Sequence, residues 1–194
     1  MEMACRDGVV TGTNYSMDLG CKPYIYPPTQ ELPVKATGCR KQCDKQSPFN
    51  YREGRVFMYT VQYELSLAHD ALGGADENRV EEMMREIMTN VPIEVTTDWY
   101  KDAYLYGQSS TRVNVYMHAI VNGTTNSPET DSQKSLKLIG WGEESTDKGE
   151  VVKYWLGVNT LGIEWGLNGF VKWRRGTDEC RIESFDTNFG TPDV

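Results

Sequence analysis

The most constraining feature of this chain is one stretch, residues 134–170, which reads KSLKLIGWG, then a charged gap, then YWLGVNTLGIEWGLNGF. Leu136 and Leu138 alternate with Lys137 and Ile139, the two-residue period of a half-buried antiparallel strand. The charged run from Glu143 to Glu150 predicts a hairpin connection, and residues 151–158 predict the partner strand. Trp165-Gly166-Leu167-Asn168-Gly169-Phe170 then reads as a turn, and Phe170-Val171-Lys172-Trp173 as a further strand.

The rest of the chain limits what such a sheet can serve. At 194 residues it suffices for one sizeable domain or two small lobes, and 39% hydrophobic residues suit a globular core. No apolar run is long enough to span a bilayer, so no membrane partner is expected. Twenty Lys+Arg against 28 Asp+Glu give a net charge of −8, which opposes attraction to phosphate backbones and argues against nucleic acid. The five cysteines, Cys5, Cys21, Cys39, Cys43 and Cys180, lack a second Cys/His pair at zinc spacing, so disulfides are expected, with no metal and no cofactor. The amino end, MEMACRDGVV, has no charged segment followed by an apolar core. Cysteine usage without a legible leader gives the expectation that the amino end is truncated.

Between these landmarks, Val80, Met83, Met84, Ile87 and Met88 fall on one face of a predicted helix. Asn78 and Glu81 form its capping box, and Asn90 with Pro92 forms its stop. Residues 98–106, DWYKDAYLY, predict a short aromatic helix, and residues 122–133 a polar surface loop.

The order of Gly140-Trp141-Gly142, Tyr154-Trp155 and Trp165-Gly166-Leu167-Asn168-Gly169-Phe170 resembles the C-terminal half of papain-family cysteine peptidases. Gly20-Cys21-Lys22-Pro23-Tyr24 with Pro27-Pro28, and Cys39-Arg40-Lys41-Gln42-Cys43, narrow the resemblance to the cathepsin B-like group. Asn90-Val91-Pro92-Ile93-Glu94, Val115-Tyr116-Met117-His118 and Cys180-Arg181-Ile182-Glu183-Ser184 extend it. The resemblance implies an α+β, papain-like fold, mainly the antiparallel β-barrel lobe. Residues 1–194 would form a single partial domain, with 1–50 a loop-rich segment lying between lobes and 75–185 the barrel lobe. The family's helical lobe, which carries the nucleophilic cysteine, has no counterpart in this sequence.

By the same resemblance, the position of the catalytic histidine falls on Lys134 and that of the asparagine orienting it on Asn159. His118 is the alternative base, although a polar insertion then separates it from the strand beginning at Lys134. The acid that accepts a basic side chain in the second substrate subsite falls on Phe185, making that subsite apolar. Cys43 would pair with Cys21. The tryptophan two residues beyond the asparagine is Leu161. The loop after Pro28 is short and contains no histidine, which removes the features associated with carboxydipeptidase activity.

A papain-type reaction needs a thiolate, an imidazole that takes and returns a proton near neutral pH, and an amide that holds the imidazole. Lysine, with an ordinary pKa of roughly 10.4, does not shuttle protons in that range. The expected function is therefore a cathepsin B-like homologue without catalysis. The alternatives are an active papain-type peptidase seen as a fragment, and a secreted binding module. A peptide or protein ligand, association through an exposed interlobe face, and a lysosomal or extracellular location follow as expectations.

Overall fold

The structure is a computed structural model. It describes residues 6–13, 17, 19–26, 38, 40–59, 77–90, 92–107, 115–117, 120–121, 124–125, 132–146, 148–184, 187–188 and 191–193. The chain divides into two compact units, residues 1–61 with 190–194, and residues 62–189.

In the first unit, β1 (Val9–Val10) and β11 (Thr191–Asp193) flank β2 (Arg55–Tyr59) in an antiparallel three-stranded sheet. Its loop segment is stapled by a disulfide between Cys21, which is fully buried, and Cys43. Around the bridge, the Asp44 N–H donates to the Cys21 carbonyl at 2.9 Å, and the Lys22 N–H to the Thr11 carbonyl at 3.0 Å. A turn-rich segment with little apolar surface to bury is thereby fixed by covalent and backbone bonds.

The second unit holds helix α1 (Glu77–Thr89) against a six-stranded sheet. The strands are β3 (Ile93–Trp99), β4 (Val115–Tyr116), β7 (Ser132–Ser145), β8 (Val151–Val158), β9 (Phe170–Arg174) and β10 (Thr187–Asn188). Their order is β10-β3-β7-β8-β9-β4, antiparallel except for the β4–β9 pair. Between β4 and β7 lies the small hairpin β5 (Ile120–Val121) and β6 (Thr124–Thr125). The α+β expectation therefore holds, as does the meander β7-β8-β9.

The alternation in β7 has the predicted consequence, since Leu136 and Leu138 are buried while Lys137 is exposed. β3, paired alongside β7, extends the same buried face through Ile93, Val95, Thr97 and Trp99, all fully buried. The indoles of Trp165 and Trp173 pack tilted on Trp99, with ring centres 5.6 and 5.5 Å away. Their N–H groups find acceptors in the Ala103 and Glu179 carbonyls, at 3.1 and 2.9 Å. The turn before β9 requires glycine at Gly166, where φ is +65° and a Cβ would stand 2.5 Å from the Phe170 carbonyl oxygen.

Three local expectations are corrected. Helix α1 starts at Glu77, so Asn78 lies inside the first turn rather than at the cap. Met88 is 74% exposed, because the buried stripe through Val80 and Met83 has turned away from the sheet by the last turn. Asp98 and Trp99 belong to β3, whose pairing runs on to Trp99 opposite Ser132. The aromatic helix is consequently confined to a 3-10 segment, Lys101–Leu105.

Candidate active site

Lys134, expected from the resemblance at the histidine position, is set by the register of two strands. Thr97 lies opposite Lys134 and Trp99 opposite Ser132. The two-residue period places Lys134 on the same face as the buried Leu136 and Leu138. The side chain is half-buried, and its ammonium stands 4.8 Å from the centre of the Tyr104 ring and 5.6 Å from that of Trp99. Those rings meet edge to face. The aliphatic stem is thus covered while the charge is stabilised by aromatic faces. No carboxylate among the described residues pairs with it.

Asn159 follows directly after β8. Because Lys137 pairs with Val158, Lys134 and Asn159 both extend from the same end of the β7–β8 pair. The Asn159 N–H donates to the Gly169 carbonyl at 3.1 Å, which ties the position to the glycine-rich turn. Its side-chain Oδ1 accepts the backbone N–H groups of Thr160 and Leu161 at 2.5 and 3.1 Å. The side-chain oxygen is therefore occupied by the chain itself, while Nδ2 is buried with no partner among the described residues. Leu161 packs against the core beside it.

The turn carrying Cys180 holds three non-glycine residues at positive φ: Asp178 at 52°, Cys180 at 54° and Arg181 at 59°. Such backbone is costly for residues with a Cβ, so it persists only where other contacts fix it. Arg181 donates to both carboxylate oxygens of Asp98, at 2.6 and 2.8 Å, and Thr97 Oγ1 donates to the Cys180 carbonyl at 2.8 Å. Asp98 itself is 5% exposed. Beneath the turn, the buried Glu183 carboxylate accepts the N–H groups of Gly176, Asp178 and the Trp155 indole at 2.7, 2.7 and 2.9 Å. Burial pushes the Cys180 thiol well above its ordinary range, and the Glu179 and Asp102 carboxylates push it further. Such a thiol stays protonated at neutral pH and is a poor nucleophile.

Asp98, Glu183 and Arg181 are the residues that sequence reasoning missed as an organised group. The available signal was Arg181, a charged side chain in place of the glycine of the family's C-G-I-E-S pattern. His118, Phe185, Cys5 and Cys39 lie outside the described residues. No cluster able to hold a metal ion occurs among the described residues, and none of their helices is long and apolar enough to cross a membrane.

Comparison with known proteins places this geometry. The family model described as papain family cysteine protease matches residues 3–188. "Cathepsin B-like cysteine proteinase 6" of Caenorhabditis elegans is 32% identical over 192 residues, covering 92% of this chain and 43% of that protein. "Tubulointerstitial nephritis antigen-like" of Mus musculus is 35% identical over 113 residues, covering 58% of this chain and 22% of the relative. Among solved structures, "proCathepsin B S9 from Trypanosoma congolense" superposes with a TM-score of 0.61 at 20% identity, over 100% of this chain and 52% of its own. The chain spans about half the length, or less, of the curated relatives it matches. With a family match running nearly end to end and the strand order of the barrel lobe in place, this chain belongs to the papain family of cysteine proteases, as a cathepsin B-like member.

Proposed function

We propose that this chain is a non-catalytic cathepsin B-like homologue whose cleft binds polypeptide without cutting it. The observation that carries the reading is Lys134, held on the inward face of β7 with its ammonium over Tyr104 and Trp99. Hydrolysis needs an imidazole-like base that gains and loses a proton in each cycle, and this position offers a lysine packed against two aromatic faces in its place. Asn159 supports the same reading, because its oxygen is turned to its own backbone. A thiol supplied from elsewhere would still find no imidazole at this position. In triad hydrolases, loss of the base lowers kcat on the order of 10⁶-fold. The disulfide and the family suit an oxidising compartment, lysosomal or extracellular.

The test is a fusion in which the helical half of an active relative, with its thiol, is joined upstream. The unmodified fusion stays inert towards a dipeptidyl fluorogenic substrate, and Lys134→His restores turnover, whereas His118→Ala in that background has little effect. Cleavage by the unmodified fusion that disappears on His118→Ala would make His118 the base and the protein a peptidase.

A further inference from the structure

A groove of about 680 Å³ lies between α1 and the outer half of the β7–β8 hairpin, lined by Val80, Met84, Trp141 and Arg175 with flanking charged residues. It is separate from the candidate active site, since Trp141 is seven residues along β7 from Lys134, or about 23 Å at strand rise. The volume is in the range of small-ligand sites.

Two observations give the groove a chemical character. The first is Arg175, a guanidinium that is 9% exposed and lines the groove. Its Nη1 meets the Met84 sulfur at 3.5 Å, its Nη2 stands 3.8 Å from a Glu143 oxygen, and its carbon lies 5.6 Å from the Trp155 ring centre. Its Nε has no partner among the described residues. A thioether is a weak acceptor, and 3.8 Å exceeds a hydrogen bond, so this buried cation lacks the close oxygen pair that normally offsets its burial. Lys153 lines the groove beside it.

The second observation is the opposite sign on the helical wall. Glu77 and Glu81 line the groove from α1 and are exposed. The positive helix amino end accounts for Glu77, but its influence fades within one turn, and Glu81 lies past that turn, four residues from a like charge. Met84 contacts Arg175, so helical rise sets Glu81 roughly 4.5 Å and Glu77 roughly 10.5 Å along the axis from the guanidinium contact. Between carboxylate and ammonium an extended lysine spans roughly 7 Å. The floor between the two charged ends is apolar, and Trp141 offers a ring to a cation.

The geometry points to a second binding site, in which this groove takes the free carboxyl end of a peptide terminating in lysine or arginine, its carboxylate on Arg175 and Lys153 and its side-chain cation on Glu81 and Glu77. The peptide stem covers Met84 and Trp141.

Titration calorimetry on the full chain, with amide shifts of Trp141 and Gly142 followed by NMR, tests this with acetyl-Gly-Lys, its carboxamide and acetyl-Gly-Glu as probes. The free acid binds saturably and shifts Trp141 and Gly142, while the carboxamide and the glutamate probe bind at least tenfold more weakly. Glu81→Lys, on an exposed position that leaves the fold intact, weakens acetyl-Gly-Lys at least fivefold. Arg175→Gln weakens it as well and narrows the preference for the free acid. Lys134→Gln leaves affinity unchanged, which separates this site from the cleft of the proposed function. Equal affinity for acid and amide, full affinity in Glu81→Lys, no saturable binding, or loss of binding in Lys134→Gln would each overturn the proposal.

Discussion

The ammonium of Lys134 and the ring of Tyr104 face each other at 4.8 Å on the inward side of the sheet, so this lysine is held by packing. Lys134→Met keeps the buried stem and removes only the cation–ring attraction, and urea melts should show a loss of about 0.5–1 kcal/mol. Lys134→Glu sets a negative charge against two ring faces and should cost more. Equal midpoints for all three proteins would show that the ring contacts contribute nothing.

Arg181 raises a different expectation, because the guanidinium that grips Asp98 sits on a residue with φ +59°. Arg181→Ala loses the pair and keeps the backbone strain, whereas Arg181→Gly loses the pair and relieves the strain. With the Arg181 side chain 53% exposed and that of Asp98 7%, breaking the pair should cost about 1–2 kcal/mol after allowance for solvent screening. Denaturation should find Arg181→Gly more stable than Arg181→Ala by about 1 kcal/mol. The reverse order would mean that the turn is not strained at this position.

Alkaline pH should destabilise the second unit in a defined sense. Burial raises the Cys180 thiol and the Tyr116 hydroxyl, so both stay protonated in the folded chain at pH values where the unfolded chain ionises. Folded proteins then bind more protons than unfolded ones, and stability falls as pH rises above the ordinary thiol and phenol values, about 8.5 and 10. Below about pH 8 these two groups contribute no slope. Each can add up to about 1.4 kcal/mol per pH unit above its unfolded value. Melts from pH 7 to 10.5 should show the fall beginning near pH 9, with a shallower onset in Cys180→Ala. An identical profile in that variant would remove Cys180 as a source.

The Cys21–Cys43 bridge closes a loop with a sequence separation of 22, which in the chain-entropy model corresponds to roughly 3 kcal/mol. Non-reducing peptide mapping should recover Cys21 joined to Cys43, and reduction should lower the unfolding midpoint of the first unit. Recovery of Cys21 joined to Cys39 would contradict the pairing.

What could be read from the sequence was whatever repeats locally. β7 was legible because one of its faces is buried and its period is two, and α1 because Val80, Met83, Met84 and Ile87 recur along one side. The cap failed because Asn78 satisfies the capping pattern one residue inside the helix that forms. The Asp98–Arg181 pair joins residues 83 apart, a distance at which no periodicity speaks. Glu183 and Arg175 are charged yet buried, and charge in a sequence reads as surface until a partner is seen. Lys134 and Asn159 were singled out only by resemblance, through the tryptophan and glycine landmarks around them. The turning of the Asn159 oxygen towards its own backbone could be seen only in three dimensions.

The strand order also dictates a route of assembly. β7, β8 and β9 follow one another in the chain, joined by residues 146–150 and 159–169, and pair with their chain neighbours, whereas β3 must find β7 across residues 100–131, Ile93 meeting Leu138 and Trp99 meeting Ser132, and β10 must return to Val95. Closing short loops loses less chain entropy, so the β7–β8–β9 meander should form first and serve as the template on which β3 and then β10 dock. Substitutions at the Trp141–Trp155 pair would then slow refolding, while those at the Thr187–Val95 pair would chiefly hasten unfolding. The strand that bears Lys134 would be ordered early in the life of the chain, before β3, carrying Trp99, pairs alongside it.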